Sequence, residues 1–173
     1  MEYITKNPAK TRSLAKVLIK KFLKYNTKKA IVIALEGELG AGKTVFVKGL
    51  ARALRVKEKI KSPTFNLIKK YPIFLSGKSE ILNPKFQSEG SCGGTSTGIA
   101  PETNSKFLYH LDCYRLHNHR DLKTLGIKET LNNPANIVVI EWSDRVKKIL
   151  PKKYIKIHIN HIDRNTRKIT ISD

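Results

Sequence analysis

The run Gly37-Glu38-Leu39-Gly40-Ala41-Gly42-Lys43-Thr44 satisfies every demand of the pattern GxxxxGK[ST]. Glycines at these places let backbone N–H groups curl around an anion, and a helix that follows turns its positive end toward it. Lys43 can reach the β and γ phosphates of a nucleoside triphosphate, and the Thr44 hydroxyl can join the shell of a magnesium ion. The expected ligands are therefore ATP and Mg2+. The rest of the cofactor-binding stretch consists of Gly37, Glu38, Leu39, Gly40, Ala41 and Gly42, with Val45 just beyond.

A site of this kind needs a further carboxylate for the metal and often a group that positions water. Two apolar runs end in an acid: Phe107-Leu108-Tyr109-His110-Leu111-Asp112 and Asn136-Ile137-Val138-Val139-Ile140-Glu141. In open α/β sheets, ligands lie at the carboxyl ends of strands. Asp112 is read as the metal-shell carboxylate and Glu141 as the group that orients attacking water. The expected metal set is Thr44, Asp112 and Glu141. The expected catalytic set is Lys43, Asp112 and Glu141. Thr64, in Ser62-Pro63-Thr64, stands where several P-loop enzymes sense the γ phosphate; a plain β-turn around Pro63 is the other reading. Trp142, the only tryptophan, directly follows Glu141 and is expected beside the nucleotide or against a partner; a core anchor for the final helix is the alternative.

The elements that would position these groups follow from local pattern. Asn7-Pro8 reads as a helix start, with Asn7 as N-cap. Leu14, Leu18, Phe22 and Tyr25 then recur at helical spacing. Ala30 to Leu35 is a short β-branched run, apolar on both faces, as a buried parallel strand requires. A helix from Lys43 to Leu54 follows the glycine turn. Strands are expected from Phe65 to Tyr71, from Phe107 to Leu111 and from Ile137 to Ile140. A helix interrupted at Gly126 is expected over Asp121 to Leu131. Tyr154 to His161 alternates as a half-exposed antiparallel strand would. With Arg167 to Ser172 it forms a terminal hairpin around Asp163-Arg164-Asn165. The predicted fold class is α/β: a P-loop NTPase-like three-layer sandwich, with a mixed, mainly parallel sheet and a C-terminal antiparallel hairpin.

Residues 1–173 read as a single P-loop domain. Residues 72–106, with Pro72, Pro84, Pro101 and five glycines, read as an inserted, mobile surface loop. The apolar runs are too short to cross a bilayer, and the first residues have no apolar signal core. A cytoplasmic protein without membrane contact is expected. Cys92 and Cys113 form no CxxC pair, and His110, His117 and His119 leave any zinc pattern incomplete, so the thiols read as reduced and structural.

The net charge is +20. Residues 1–71 hold 18 basic side chains against 4 acidic ones, residues 72–106 balance, and residues 107–173 hold 13 against 7. Such an imbalance suits RNA or an acidic protein surface, or reflects a lysine-rich solvated exterior.

The segments EGELGAGKT (Glu36 to Thr44), SPTF (Ser62 to Phe65), YHLDCYRL (Tyr109 to Leu116), Gly126-Ile127 and VIEWSDR (Val139 to Arg145) resemble the TsaE family. That family is the small ATPase subunit of bacterial tRNA threonylcarbamoyladenosine synthesis. The resemblance covers nearly the whole chain except residues 72–106. It implies an ATPase of low intrinsic turnover. It also implies two partner subunits that transfer a threonylcarbamoyl group onto the tRNA adenosine next to the anticodon. Contact with tRNA is then indirect, and the +20 charge leaves direct contact open. The family's functional positions carry over to Lys43, Thr44, Thr64, Asp112 and Glu141, with Trp142 next to the site. Val45 departs from the family's usual second threonine, which removes a side-chain contact to the α phosphate. Cys113 stands where an aliphatic residue is common.

Two other readings remain open at this level. A small-molecule or nucleotide kinase shares the P-loop but carries an arginine-bearing lid, and residues 72–106 contain no arginine. A basic RNA-binding module would have no use for two strand-end acids facing a P-loop. A GTPase would need an NKxD-type motif, and the chain has none.

Overall fold

The computed structural model describes residues 1–25, 27–62, 67–74, 106–116, 122 and 126–172. Its centre is a seven-stranded sheet. The strands are β1 (Glu2–Thr5), β2 (Ile31–Glu36), β3 (Ile68–Pro72), β4 (Phe107–Asp112), β5 (Asn136–Glu141), β6 (Ile155–His161) and β7 (Arg167–Ser172). Their spatial order is β1-β7-β6-β2-β5-β4-β3. The inner strands β6, β2, β5 and β4 run parallel. Antiparallel pairs flank them, β3 on β4 at one side and β7 then β1 at the other.

Helix α1 (Pro8–Phe22) starts as its sequence dictates: the Asn7 side chain accepts a 2.9 Å hydrogen bond from the Lys10 N–H, and Pro8 opens the first turn. Its buried stripe is Thr11, Ala15, Leu18, Ile19 and Phe22. Leu18 and Phe22 are as expected, whereas Leu14 is only partly buried and Tyr25 lies exposed beyond the helix. The stripe is rotated because α1 packs tightly on α2 (Lys43–Ala53). At Gly49 of α2, a Cβ would stand 2.5 Å from the Arg12 carbonyl oxygen and 2.8 Å from the Ala15 Cβ. Only small residues fit that crossing.

The alternation of β2 and β5 divides the core. Ile33, Leu35, Ile137 and Val139 face α1 and α2, together with Leu108, Ile155, Ile157 and Ile159. Val32, Val138 and Ile140 face the other way, toward α3 (Ile127–Asn132) and the 3₁₀ turns of Ser143–Ile149, with Leu111, Ile127 and Val146. Helices on both faces of a mostly parallel sheet give three layers, the expected architecture.

Three features differ from the sequence reading. β6 is not simply an antiparallel hairpin strand; it pairs parallel with β2 on one side and antiparallel with β7 on the other. Its alternation arises because Ile155, Ile157 and Ile159 are covered by the helix layer while Lys156 and His158 are not fully covered; both approach Glu36 of β2, at 2.8 and 3.6 Å. β1 was not anticipated. Four residues are too few to show a period, and the partner, Ile169 opposite Tyr3, lies at the far end of the chain. Pro72, expected as the first residue of the insertion, is the last residue of β3, and Ile73 behind it is buried, donating to the Lys106 carbonyl. Residues 75–105, Thr64, Cys92, His117 and His119 lie outside the described residues.

Candidate functional site

The site sits where β2, β4 and β5 end. Chain leaves β2 at Glu36 and turns through Gly37 to Gly42 into α2. Gly37 has φ +135°, and a Cβ there would meet the Ile159 carbonyl oxygen at 2.2 Å, so no other residue fits between the loop and β6. Gly42 also has a positive φ, +103°, but nothing stands within 4 Å of its Cβ position: this side of the loop is open. On the outside of the loop, the Arg167 guanidinium donates from Nε to the Ala41 carbonyl at 3.0 Å, and from an adjacent nitrogen to the carbonyls of Asp163 and Thr166. The C-terminal hairpin thereby grips the loop.

Lys43, the first residue of α2, is buried. Its ammonium donates to the carbonyls of Gly37 at 2.7 Å and Glu38 at 2.9 Å. An ammonium has three N–H donors, so one remains. Burial pushes the Lys43 pKa below the ordinary lysine value, against the pull of Glu141, Asp112 and Asp144. The Nζ also stands 3.6 Å from the centroid of the Trp142 ring, in a cation–π contact.

Thr44 donates its hydroxyl hydrogen to Glu141 Oε2 at 3.0 Å. The Thr44 hydroxyl is also in hydrogen-bond contact with the Ser62 hydroxyl at 3.3 Å. Glu141 is buried, and its second oxygen, Oε1, lies 2.8 Å from Nε2 of the fully buried His110. Asp112 is the register partner of Glu141 across β4 and β5. Partners in register lie on one face, so both carboxylates stand beside the start of α2. Asp112 Oδ1 accepts from the Tyr114 N–H at 3.1 Å.

Trp142 holds a left-handed backbone, φ 60° and ψ 43°, which is uncommon for a large aromatic residue. That bend aims its ring back over Lys43. The Tyr114 ring lies 5.0 Å from it, and the Arg145 guanidinium lies over both rings. Arg145 also donates to the Tyr114 carbonyl.

These groups enclose a cleft of about 290 Å³, whose walls include Lys43, Thr44, Asp112, Glu141 and Trp142. Leu39, Gly40, Gly42, Val45 and Ser62 complete its loop side. Of the expected site residues, only Thr64 escapes description. Ala41 is buried beneath the loop, its carbonyl accepting from Arg167 and its N–H donating to the Glu38 carbonyl at 3.1 Å; that Glu38 carbonyl also accepts from Lys43. Sequence reasoning missed His110, which it considered only for zinc, and Arg167. The signal for His110 was present: two residues before Asp112 on a strand, it must share that residue's face.

An open loop with left-handed glycines beside a buried ammonium suits an anion of several oxygens. A hydroxyl and two carboxylates in one place are hard oxygen ligands, the donor set of Mg2+. Thr44, Asp112 and Glu141 could hold such an ion. Among the described residues, no three His, Cys, Asp or Glu side chains gather as a metal centre of their own. No described helix is long and apolar enough to cross a membrane.

A family model described as threonylcarbamoyl adenosine biosynthesis protein TsaE matches residues 5–81 and 98–169. The tRNA threonylcarbamoyladenosine biosynthesis protein TsaE of Bacillus subtilis is 30% identical over 172 residues, covering 99% of this chain and 85% of that protein. Its counterpart in Haemophilus influenzae is 32% identical over 141 residues, 82% of this chain and 70% of that one. The Treponema pallidum protein of the same name is 33% identical over 141 residues, with 82% and 81% covered. Among solved structures, that of Bacillus subtilis YdiB superposes with a TM-score of 0.64 at 26% identity, over 99% of this chain and 83% of its own.

Proposed function

The chain belongs to the TsaE family of threonylcarbamoyl adenosine biosynthesis proteins, and from that premise we propose that it binds ATP with Mg2+ and hydrolyses it in the service of that tRNA modification. The observation that carries this reading is the pairing of Thr44 with Glu141 at 3.0 Å, one residue from Lys43 and across the sheet from Asp112. It joins the start of α2 to the carboxyl ends of β4 and β5, where phosphate-transfer chemistry needs oxygen ligands and a positioned water.

In this reading the loop amides and the third Lys43 N–H bind the phosphates. Thr44 and Asp112 hold the metal, and the Glu141 carboxylate orients the attacking water. Magnesium, when bound, would draw charge from the terminal phosphate. Trp142 and Tyr114 close one wall of the cleft and limit the water that enters beside Lys43. The partners are the two other subunits that carry the threonylcarbamoyl group to the adenosine beside the anticodon, and tRNA is met chiefly through them.

Purified protein should bind Mg-ATP in calorimetry and release phosphate slowly alone and faster with its partner subunits. Protein that binds no ATP, or that passes the γ phosphate to a small-molecule acceptor instead of water, would overturn the reading. Recovery of the tRNA-modifying subunits in a pull-down from the source cell tests the partner half.

A further inference from the structure

His110 is an anomaly of the core. It stands on the face of β4 between Leu108, which packs in the core with α1 and α2, and Asp112 at the strand's end, and none of it reaches solvent. A polar side chain in such a place costs stability unless it is bonded. Its one bond within the described residues runs to Glu141, 2.8 Å from Nε2 to Oε1, while Nδ1 has no partner among them.

The bond has a fixed sense. An ionised carboxylate only accepts, so Nε2 carries the hydrogen. A bare, unpaired Nδ1 lone pair is cheaper to bury than an unpaired N–H. The hydrogen on Nε2 thus points at Oε1, and Nδ1 is left without a partner among the described residues. His110 and Glu141 are not opposite each other: His110 faces Val139, two residues short of the Asp112–Glu141 pair. The imidazole spans that diagonal and ties down Oε1, and Thr44 holds Oε2. Glu141 is therefore fixed from two elements at once.

We infer that His110 is a positioning residue for Glu141, locking the carboxylate so that Oε2 alone is presented to the metal and water at Thr44. This rests on the ATPase reading above. A group acting through a ligand or base in this way typically governs about 10–100-fold in activity or metal affinity.

The test has two arms. The first needs no nucleotide: in histidine labelled with ¹⁵N, the signal that His110→Gln removes should show the Nε2–H tautomer. The second uses ATP hydrolysis by the protein with its partners. His110→Leu, with a melting temperature showing that it folds, should lose about 10–100-fold in kcat with KM for ATP unchanged. His110→Gln, whose amide N–H can reach the same oxygen, should return kcat to within a few-fold of wild type. His110→Met is the second donor-free variant should His110→Leu not fold. An Nδ1–H tautomer, a folded donor-free variant that turns over at the wild-type rate, or a glutamine variant as slow as the leucine one would each overturn the inference. A wild-type protein that never hydrolyses ATP would overturn the functional reading and the role together, and is seen before any variant is compared.

Discussion

The ammonium of Lys43 lies 3.6 Å above the ring centroid of Trp142. The cation of the P-loop and the aromatic residue after Glu141 are thus in direct contact, though 99 positions separate them in the chain (142 less 43). Because the chain has one tryptophan, its fluorescence reports the surroundings of this ring, where Lys43 is joined by Tyr114 and Arg145. If Lys43 binds phosphate as proposed, Mg-ATP would draw it from the ring, so the emission should change and saturate with the calorimetric isotherm. A silent titration with binding proved by heat would contradict the placement.

Lys43→Ala should weaken ATP binding by about 1.5–3 kcal/mol, the range for a hydrogen bond to a charged group. The same change frees the Gly37 and Glu38 carbonyls, which Lys43 now holds, so a small fall in melting temperature should accompany it. Unchanged affinity in calorimetry would remove the lysine from the phosphate site.

Asp112→Asn and Glu141→Gln should both slow hydrolysis, by different routes. Asparagine removes a charge from the metal shell and should raise the Mg2+ concentration needed for half-maximal rate. Glutamine can still accept from His110 and can turn its amide N–H toward Thr44, so Glu141→Gln should fold and keep ATP affinity largely intact while losing turnover. Lost binding with normal turnover per bound ATP would reverse the two roles.

Cys113 is fully buried, and burial pushes its thiol pKa from 9.0 up to about 12. In a Cys92→Ser background, Cys113 should resist iodoacetamide at pH 8 in the native protein and react once urea unfolds it. The sign for stability follows: the folded state holds this proton more tightly, so the contribution is complete below pH 9 and declines as pH rises from 9 toward 12. A thiol that alkylates readily in folded protein at pH 8 would refute its burial.

Gly49→Ala should lower stability by about 1–3 kcal/mol, since the added methyl meets the Arg12 carbonyl and Ala15. For a chain of this size that is roughly 2–4 °C per kcal/mol in the melting temperature. An unaltered melt would mean that α1 and α2 do not cross so closely.

How much of this was readable beforehand depends on how local each signal is. The glycine turn leading into α2, the N-cap at Asn7 and the acids at the ends of β4 and β5 are matters of order within a few residues, and the structure has each at the place in the fold where the sequence put it. The face of His110 was legible from its place two residues before Asp112, but neither its partner nor that of Arg167 was. Each acts on a group far away in sequence, Glu141 and Ala41, through strand neighbours that no local pattern reveals. The parallel pairing of β6 with β2 is of the same kind, because alternation records which face is covered and not which way the neighbour runs. The left-handed turn at Trp142 could not be read from a tryptophan, whose usual preferences oppose it; the tertiary setting imposes it. Of the residues expected in the insertion, 82–97 fall between the two stretches that match the family.

The contacts of Gly37 with Ile159 and of Ala41 with Arg167 give the P-loop the character of a cast mould. Its curvature is set by β6 and the hairpin, so on the proposed reading an arriving phosphate chain would have little backbone to organise and would lose little entropy on that account. Affinity would then depend partly on the last strand, whose Arg167 grips the loop from outside the cleft.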